Sequence, residues 1–258
     1  MDKRKMTAVI TAQTELCKGI YSMWMRFAGE DKAAEGAVPG QFISMYSRQK
    51  SRMLPRPISI CEIDRNENML RVVYRVAGEG TLEFSQMKPG DTIEVVGPLG
   101  NGFTKEDGRV LVIGGGIGIP PMLQLAKELH GDVQAVLGYR DTLFLQEEFK
   151  SCADVYIATE DGSAGTKGNV IDAMKENGLQ ADIIYACGPK PMLRGIREYA
   201  NENGIRAQIS MEERMACGIG ACLACVCESR DMDGHSHVHN KRICKDGPVF
   251  DVNEAVLD

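Results

Sequence analysis

The sequence predicts three successive parts: an antiparallel β-barrel, a parallel α/β sheet and a small cysteine-rich segment. Residues 1–104 contain short apolar runs separated by turn signals, a pattern typical of an all-β barrel or sandwich. Residues 105–211 alternate strand and helix patterns, which favours a parallel sheet with crossover helices. Residues 212–258 hold five of the nine cysteines. We therefore expect a β plus α/β fold with boundaries near residues 104 and 211.

Each part follows from local patterns. In the first part, turn signals such as Val38-Pro39-Gly40 and Lys88-Pro89-Gly90-Asp91 separate six predicted strands. These strands cover residues 7–11, 21–27, 42–46, 58–63, 70–76 and 92–96, and a glycine-rich loop at 97–102 follows them. In the second part we predict strands at 109–113, 133–139, 155–159, 183–186 and 207–211, the last closing the sheet, and helices at 120–130, 170–176 and 191–202.

The overall composition is that of an acidic globular chain. Its 258 residues are 43% hydrophobic and 26% charged, and the formal net charge is −6. Such a chain has no electrostatic reason to bind nucleic acid or an anionic membrane surface. The longest uncharged run, residues 110–126, contains four glycines and two adjacent prolines, so it does not predict a membrane helix. No secretory signal is evident at the N-terminus, and we expect a cytoplasmic protein.

The spacing of the C-terminal cysteines predicts a [2Fe–2S] cluster. Four residues separate the first two of these cysteines, two residues separate the second from the third, and the fourth is more distant, as in plant-type ferredoxins. Gly218 and Gly220 suit a loop that must approach the cluster closely. The predicted ligands are Cys217, Cys222, Cys225 and Cys244.

Other metal sites are less compatible with this pattern. Zinc generally uses two separated Cys-x2-Cys pairs, and only one such pair exists here. Cys227 is a spare thiol that could replace Cys225, although the spacing favours Cys225. His235, His237 and His239 alternate in sequence, and a solvated hairpin is a simpler explanation for them than a metal site.

A glycine-rich loop follows the first strand of the α/β part and opens a helix. Backbone N–H groups at such a point bind phosphate when no side chain blocks their approach. The loop departs from the standard G-x-G-x-x-G fingerprint, and the alternative is a tight turn without a ligand. The residues concerned are Gly114, Gly115, Gly116, Gly118 and Pro121.

A second loop, with Cys187, Gly188 and Pro189, follows another strand of the same predicted sheet. Ligands of parallel sheets bind beyond the carboxyl ends of the strands, so the two loops should converge. A lone cysteine is usually a small buried residue. In this loop we expect Cys187 to flank a nicotinamide ring instead.

These motifs together resemble the ferredoxin–NADP reductase superfamily, in which a flavin-binding barrel precedes a nicotinamide-binding domain. The motifs are Arg56-Pro57-Ile58-Ser59, Gly80-Thr81, residues 114–121 and residues 187–192. Residues 212–225, Glu-Glu-Arg-Met-Ala-Cys-Gly-Ile-Gly-Ala-Cys-Leu-Ala-Cys, narrow the resemblance to the electron-transfer subunits of NAD-dependent, class 1B dihydroorotate dehydrogenases. The resemblance covers essentially the whole chain.

The resemblance implies two further cofactors, FAD on the barrel and NAD(H) on the α/β part. It implies FAD contacts from Arg56, Pro57, Ile58, Ser59, Val73, Tyr74, Arg75, Gly80 and Thr81. Arg56 would pair with the pyrophosphate, as guanidinium groups do well. Ser59 and Cys187 would act at the reacting edges of the flavin and the nicotinamide. The implied domains are a FAD-binding barrel at 1–104, an NAD-binding domain at 105–211 and a cluster domain at 212–258.

The resemblance also implies a partner and a pathway. Electrons would pass from the FMN of a dihydroorotate dehydrogenase catalytic subunit to NAD⁺, in pyrimidine biosynthesis, within a heterotetramer of two copies of each subunit. A ferredoxin–NAD(P) oxidoreductase or a hydrogenase diaphorase subunit shares this layout and is the alternative. An iron–sulfur regulator without enzymatic activity belongs to another class, and it would need neither the flavin motif nor the nicotinamide motif.

Overall fold

A computed structural model describes residues 4–49, 51–230, 232 and 237–257; His235 lies outside this range. The first part is a closed antiparallel barrel with the strand order β1-β2-β5-β4-β3-β6. A helix, α1 (Glu79–Ser85), lies between its last two strands in sequence. The strands are β1 (Lys5–Cys17), β2 (Ile20–Phe27), β3 (Phe42–Met45), β4 (Arg56–Asp64), β5 (Met69–Arg75) and β6 (Thr92–Leu99).

The six barrel strands are those that the sequence predicts, although their ends differ, most of all in β1. β1 extends to Cys17 because its partly exposed second half still pairs with β2, as far as Cys17 opposite Ile20. β6 continues through Gly97 and Pro98 to Leu99, where the sequence predicts a loop. Apolar side chains from alternate positions, including Ile10, Met23 and Ile43, fill the interior.

The second part is a seven-stranded sheet with the order β10-β9-β8-β7-β11-β12-β15. Its strands are parallel except β15, which pairs antiparallel with β12. The strands are β7 (Gly108–Gly115), β8 (Gly131–Tyr139), β9 (Asp154–Thr159), β10 (Thr166–Lys167), β11 (Ile183–Cys187), β12 (Arg206–Ser210) and β15 (Val249–Asp251). The helices are α2 (Pro120–Glu128), α3 (Gln146–Phe149), α4 (Val170–Glu176) and α5 (Lys190–Asn203).

Helices cover both faces of this sheet, as a parallel sheet requires. Leu111 and Ile113 of β7 face the core that α4 and α5 complete. Val110 and Val112 face the opposite core, with α2 and α3. None of the helices in the described residues has the length and apolar character needed to span a bilayer.

The cysteine-rich segment leaves the sheet after β12 and returns to it at β15. The sequence predicts 207–211 as the closing strand, but β15 pairs beyond it, so the tail completes the sheet edge. Between the two strands lie β13 (Val226–Glu228), β14 (Asn240–Arg242) and α6 (Ile243–Asp246). The predicted fold class is therefore confirmed, with an additional antiparallel edge strand.

Polar contacts attach the barrel to the sheet. Arg71 forms ion pairs with Glu62 and Glu148, and Glu62 also pairs with Lys127 of α2. Gln124 Oε1 accepts a hydrogen bond of 2.8 Å from the Ile63 backbone N–H. These contacts hold β4 and β5 against α2 and α3, and they fix the two cavities described below with respect to each other.

Candidate functional site

A cavity of about 360 Å³ lies between the barrel and the sheet. The predicted flavin residues Arg56, Pro57, Ile58, Ser59, Val73, Tyr74, Arg75 and Thr81 all line it. They come from β4, from β5 and from the start of α1, three elements that the barrel order brings together. The Tyr74 ring packs inside the barrel, 6.1 Å from the Tyr21 ring, because successive strand residues face opposite sides.

Gly80 supports this cavity without lining it. An ideal Cβ on Gly80 would lie 2.5 Å from Arg56 Nε, so a larger residue would displace the guanidinium. Arg56 also donates a hydrogen bond to the Leu54 carbonyl oxygen. Thr81 Oγ1 accepts hydrogen bonds from the backbone N–H groups of Ala77 and Gly78, at 2.9 and 3.2 Å. The two predicted motifs thus form one preorganised corner of the cavity.

A second cavity, of about 470 Å³, lies at the carboxyl ends of the sheet strands. β7 and β11 are adjacent, with Gly114 opposite Cys187, so the two predicted loops meet as expected. Gly115, Gly116, Gly118, Gly188 and Pro189 line this cavity.

Two of the loop glycines are required by close backbone approach or by conformation. A Cβ on Gly118 would collide with the Cys187 carbonyl oxygen. Gly116 has φ +54, and its Cβ position is open apart from Arg75 Nη2 at 3.9 Å. The loop therefore presents bare backbone to the cavity, which suits a phosphate group.

Three predicted residues of the nicotinamide site do not line the cavity. Gly114 packs under Ile119, and Pro121 is buried in α2. Cys187 has no exposed surface, and burial raises the pKa of its thiol. Its neighbours Gly188 and Pro189 border the cavity instead, and its part in hydride transfer stays a prediction.

The two cavities adjoin at a shared wall made of Arg75, Ile117 and Glu212. Burial raises the pKa of the Glu212 carboxyl, and the positive charge of Arg75 acts in the opposite direction. A carboxyl group held between two cofactor-sized cavities is suited to hold or move a proton there.

The four predicted cluster cysteines come together in two pairs. Cys222 Sγ accepts a hydrogen bond of 3.4 Å from the Cys217 N–H, and Cys225 Sγ accepts one of 3.4 Å from the Cys244 N–H. The Gly220 N–H donates to Cys244 Sγ at 3.1 Å, which links the two pairs.

Backbone amides prepare this loop for anionic sulfur. The N–H groups of Ile219 and Ala221 donate to Cys217 Sγ at 3.4 and 3.3 Å. Burial works to raise the pKa of the Cys217 thiol, but these hydrogen bonds and that from Cys222 lower it to about 6. Thiolate is the form that binds metal, so the donor set fits an iron–sulfur cluster.

Cys227 and His239 lie outside these sulfur contacts. Within the described residues, no group of three or more His, Cys, Asp or Glu side chains surrounds a single point. Cys227 lies on β13 opposite Lys241, and none of the sulfur contacts above involves it. His239 Nδ1 contacts the Arg230 carbonyl at 3.0 Å, which indicates a structural role.

Comparison with known proteins gives the family. Residues 212–256 match the iron–sulfur cluster binding domain of dihydroorotate dehydrogenase B, and residues 112–198 match the oxidoreductase NAD-binding domain. The electron transfer subunit of dihydroorotate dehydrogenase B (NAD(+)) from Caldanaerobacter subterraneus subsp. tengcongensis is 41% identical, over 98% of this chain and 99% of that protein. The chain belongs to this family of electron transfer subunits. The subunit of the same name from Bacillus mycoides is 40% identical over the same shares of the two chains. The family predicted from residues 212–225 is thus confirmed.

Solved structures share the fold. A structure of NADH-dependent reduced ferredoxin–NADP oxidoreductase superimposes with a TM-score of 0.85 at 29% identity, covering 97% of this chain and 90% of that one. The ferredoxin reductase of carbazole 1,9a-dioxygenase gives a TM-score of 0.66 at 21% identity, over 78% of this chain and 66% of that one. The second likeness concerns the fold alone.

Sequence reasoning did not identify several residues that line the cavities. Arg140 and Glu160 follow β8 and β9 at the same sheet edge as the glycine loop, and Asn169 caps α4 nearby. Glu212 follows β12 in the same way. Each of them lies just beyond a predicted strand or at a helix start, so the rule that ligands bind at the carboxyl edge could have found them.

Proposed function

We propose that this chain passes electrons between a dihydroorotate-oxidising catalytic subunit and NAD⁺, through an iron–sulfur cluster and FAD, in the biosynthesis of pyrimidines. The observation that carries the proposal is the continuity of the three sites. The two cavities share a wall, and the flavin-side cavity is also lined by Met215, two residues before Cys217. This succession of a glycine-lined cavity, a second cavity and a cysteine loop supports electron passage between nicotinamide, flavin and cluster.

The cofactors supply the redox chemistry: flavin exchanges a hydride with nicotinamide and single electrons with an iron–sulfur cluster. The chain supplies binding and orientation. Arg56, held by Gly80 and the Leu54 carbonyl, binds the FAD pyrophosphate. Ser59 offers its hydroxyl near the reactive edge of the flavin, and Arg75 and Glu212 lie where the flavin and the nicotinamide meet.

NAD(H) binds in the larger cavity. The backbone of Gly115, Gly116 and Gly118 would hold its pyrophosphate, since no Cβ blocks approach there. Gly188 and Pro189 border the nicotinamide end, with Cys187 behind them. Glu160 and Arg140 both line this cavity just beyond sheet strands, so these two side chains are placed to distinguish the free ribose hydroxyls of NAD from a 2′-phosphate.

The cluster is a [2Fe–2S] centre held by Cys217, Cys222, Cys225 and Cys244. The pairing of Cys217 with Cys222 and of Cys225 with Cys244 supports two thiolates for each iron. Cys227, on a separate strand, is not a ligand in this proposal. The catalytic partner carries FMN, and the assembly contains two copies of each subunit, in the cytoplasm.

The test is to purify the chain anaerobically with its catalytic partner and to measure dihydroorotate-dependent reduction of NAD⁺. We expect activity from the complex and only NADH-dependent dye reduction from this chain alone. A folded complex with full cofactor content that reduces no NAD⁺ from dihydroorotate would exclude the proposal. Reduction of ferredoxin instead of NAD⁺ would favour the alternative, a ferredoxin–NAD(P) oxidoreductase. The similarity to the ferredoxin–NADP oxidoreductase structure is the observation behind this alternative.

A further inference from the structure

Ser44 is a buried polar residue beside the loop that carries the first cluster cysteine. It lies on β3, where Ile43 and Met45 face the barrel interior and the alternate residues face outward. Its outward neighbours Phe42 and Tyr46 pack in the same core as Cys225 and Cys244. Ser44 is 1% exposed. Its hydroxyl therefore lies on the barrel face that meets the cluster segment.

The hydroxyl makes close contact with the cluster loop. An ideal Cβ on Gly218 would lie 2.7 Å from Ser44 Oγ, so any larger residue at 218 would collide with it. Gly218 directly follows Cys217, whose sulfur already accepts two hydrogen bonds from the same loop.

The hydroxyl has no hydrogen-bond partner among the described residues. Its cross-strand neighbours are Pro57 on β4 and Val96 on β6, and neither side chain has a polar atom. A buried hydroxyl without a partner costs free energy, and such groups are uncommon in native structures. The placement of Ser44 therefore calls for an acceptor that the polypeptide itself does not supply.

We infer that Ser44 Oγ–H donates a hydrogen bond to a sulfur of the bound cluster on its Cys217 side, and that this bond sets the reduction potential of the cluster. The inference rests on the proposed cluster ligands. A cluster held by the Cys217 loop provides anionic sulfur, which is the acceptor that the hydroxyl lacks. Hydrogen bonds to sulfur are among the factors that set iron–sulfur potentials.

The direction of the effect follows from charge. Reduction adds one negative charge to the cluster, so a donor stabilises the reduced form more than the oxidised form. Ser44→Ala should therefore shift the one-electron equilibrium toward the oxidised cluster by about tenfold. For a one-electron couple this shift equals about 59 mV toward negative potential.

The experiment is a redox titration of the purified chain, followed by EPR, for wild type, Ser44→Ala and Ser44→Thr. Pulsed EPR after exchange into D₂O reports whether an exchangeable proton couples to the reduced cluster. We expect Ser44→Ala to lose one such coupling and to shift its potential as stated. Ser44→Thr keeps a hydroxyl and should restore both properties.

Ser22→Ala is the matched control. Ser22 is also a buried barrel serine, but its hydroxyl accepts a 2.8 Å hydrogen bond from Arg71 Nε, so its loss should leave the potential unchanged. The inference about Ser44 would be overturned if the Ser44→Ala protein has full iron and sulfide content and keeps the wild-type potential and proton coupling. That result would leave the proposed function intact. Wild-type protein that binds no iron or sulfide under anaerobic conditions would overturn both the inference and the proposed function.

Discussion

At the scale of one residue, a substitution at Gly116 tests whether the glycine loop binds the nicotinamide cofactor. Its φ of +54 and its open Cβ position mean that valine there would be strained and would project into the cavity. We expect Gly116→Val to weaken NADH binding by about tenfold, from a conformational cost on the order of 1 kcal/mol and lost phosphate contact. FAD content should stay at the wild-type level because the predicted flavin residues lie on β4, β5 and α1, and only Arg75 approaches the Gly116 Cβ position, at 3.9 Å. Equilibrium titration with NADH and the flavin absorbance measure the two effects. Loss of flavin from a folded variant would show that the glycine loop does not belong to the nicotinamide site.

The cysteines offer a second residue-level comparison. We expect Cys222→Ser to lose the cluster, since a hydroxyl replaces a thiolate poorly as a ligand for iron. Cys227→Ser should keep it, because Cys227 lies on β13 apart from the two sulfur pairs. Iron and acid-labile sulfide are measured on both proteins. The opposite pattern would mean that the ligand set is wrong.

These residues differ in how far the sequence could predict them. The cluster cysteines are close in sequence, so their spacing alone indicates their chemistry. Glu212 gains its importance only where two cavities meet, and that meeting depends on how the barrel packs on the sheet. The Ser44 hydroxyl is buried without a hydrogen-bond partner among the described residues, and this too depends on contacts between distant segments. Local patterns give no signal for Ser44, and for Glu212 they give only its position at the carboxyl edge of the sheet.

At the scale of elements, the sequence predicts the six barrel strands and the helices α2, α4 and α5, and it does not predict α1, α3 or β15. α4 has the bounds that the sequence predicts, and in the structure the Asn169 side chain caps its first turn. α1 contains Gly80 within seven residues and shows little periodicity, so it gave no helix signal. β15 has three residues, and its pairing with β12 depends on tertiary contacts.

The contact between β5 and α3 should contribute measurably to stability. The Arg71 side chain is 8% exposed and pairs with Glu62 and Glu148, so its removal leaves Glu148 without this partner and Glu62 with Lys127 alone. We expect Arg71→Ala to lower the free energy of unfolding by about 3 kcal/mol. The exposed pair of Arg26 with Glu67 is the control, and Arg26→Ala should cost less than about 1 kcal/mol. Denaturant unfolding measures both, and equal losses would contradict this role for Arg71.

The cluster loop should contact the catalytic partner. Leu223 is 62% exposed, and Ile219 of the same loop is 39% exposed, so apolar surface lies next to the predicted ligands. We expect Leu223→Glu to weaken association with the partner by at least about tenfold, because a charge would enter an apolar contact. NADH-dependent dye reduction should persist, since that path does not cross the interface.

Leu82→Glu is the matched control for this docking surface. Leu82 is 47% exposed on α1 of the barrel, an element outside the cluster segment, and the change should leave association unaffected. Pull-down and dye reduction are measured on the same preparations. A Leu223→Glu protein that retains its cluster and binds the partner like wild type would exclude this surface.

At the scale of the whole molecule, two chromophores are expected in one chain. The flavin cavity and the cysteine loop are separate, so the purified protein should show flavin absorbance together with that of a [2Fe–2S] centre. Anaerobic reduction should give a rhombic S = ½ EPR signal from the cluster. Stoichiometric zinc, without iron or sulfide, in protein prepared anaerobically would contradict the cluster assignment.

The return of the C-terminal tail to the sheet determines how electrons reach the partner. Residues 212–248 leave from β12 and come back to its immediate neighbour β15, and Asn101 holds the returning strand through two hydrogen bonds to Val249 of 2.8 and 2.9 Å. Both ends of the cluster segment are thus anchored to one rigid edge. Because Cys225 and Cys244 pack in the same core as Ile209 of β12 and Phe250 of β15, we expect these cysteines to form a fixed relay and not a swinging arm that carries charge between docking positions. The distance that electrons cross within this chain is then fixed when the chain folds. The catalytic subunit must therefore dock at the cluster.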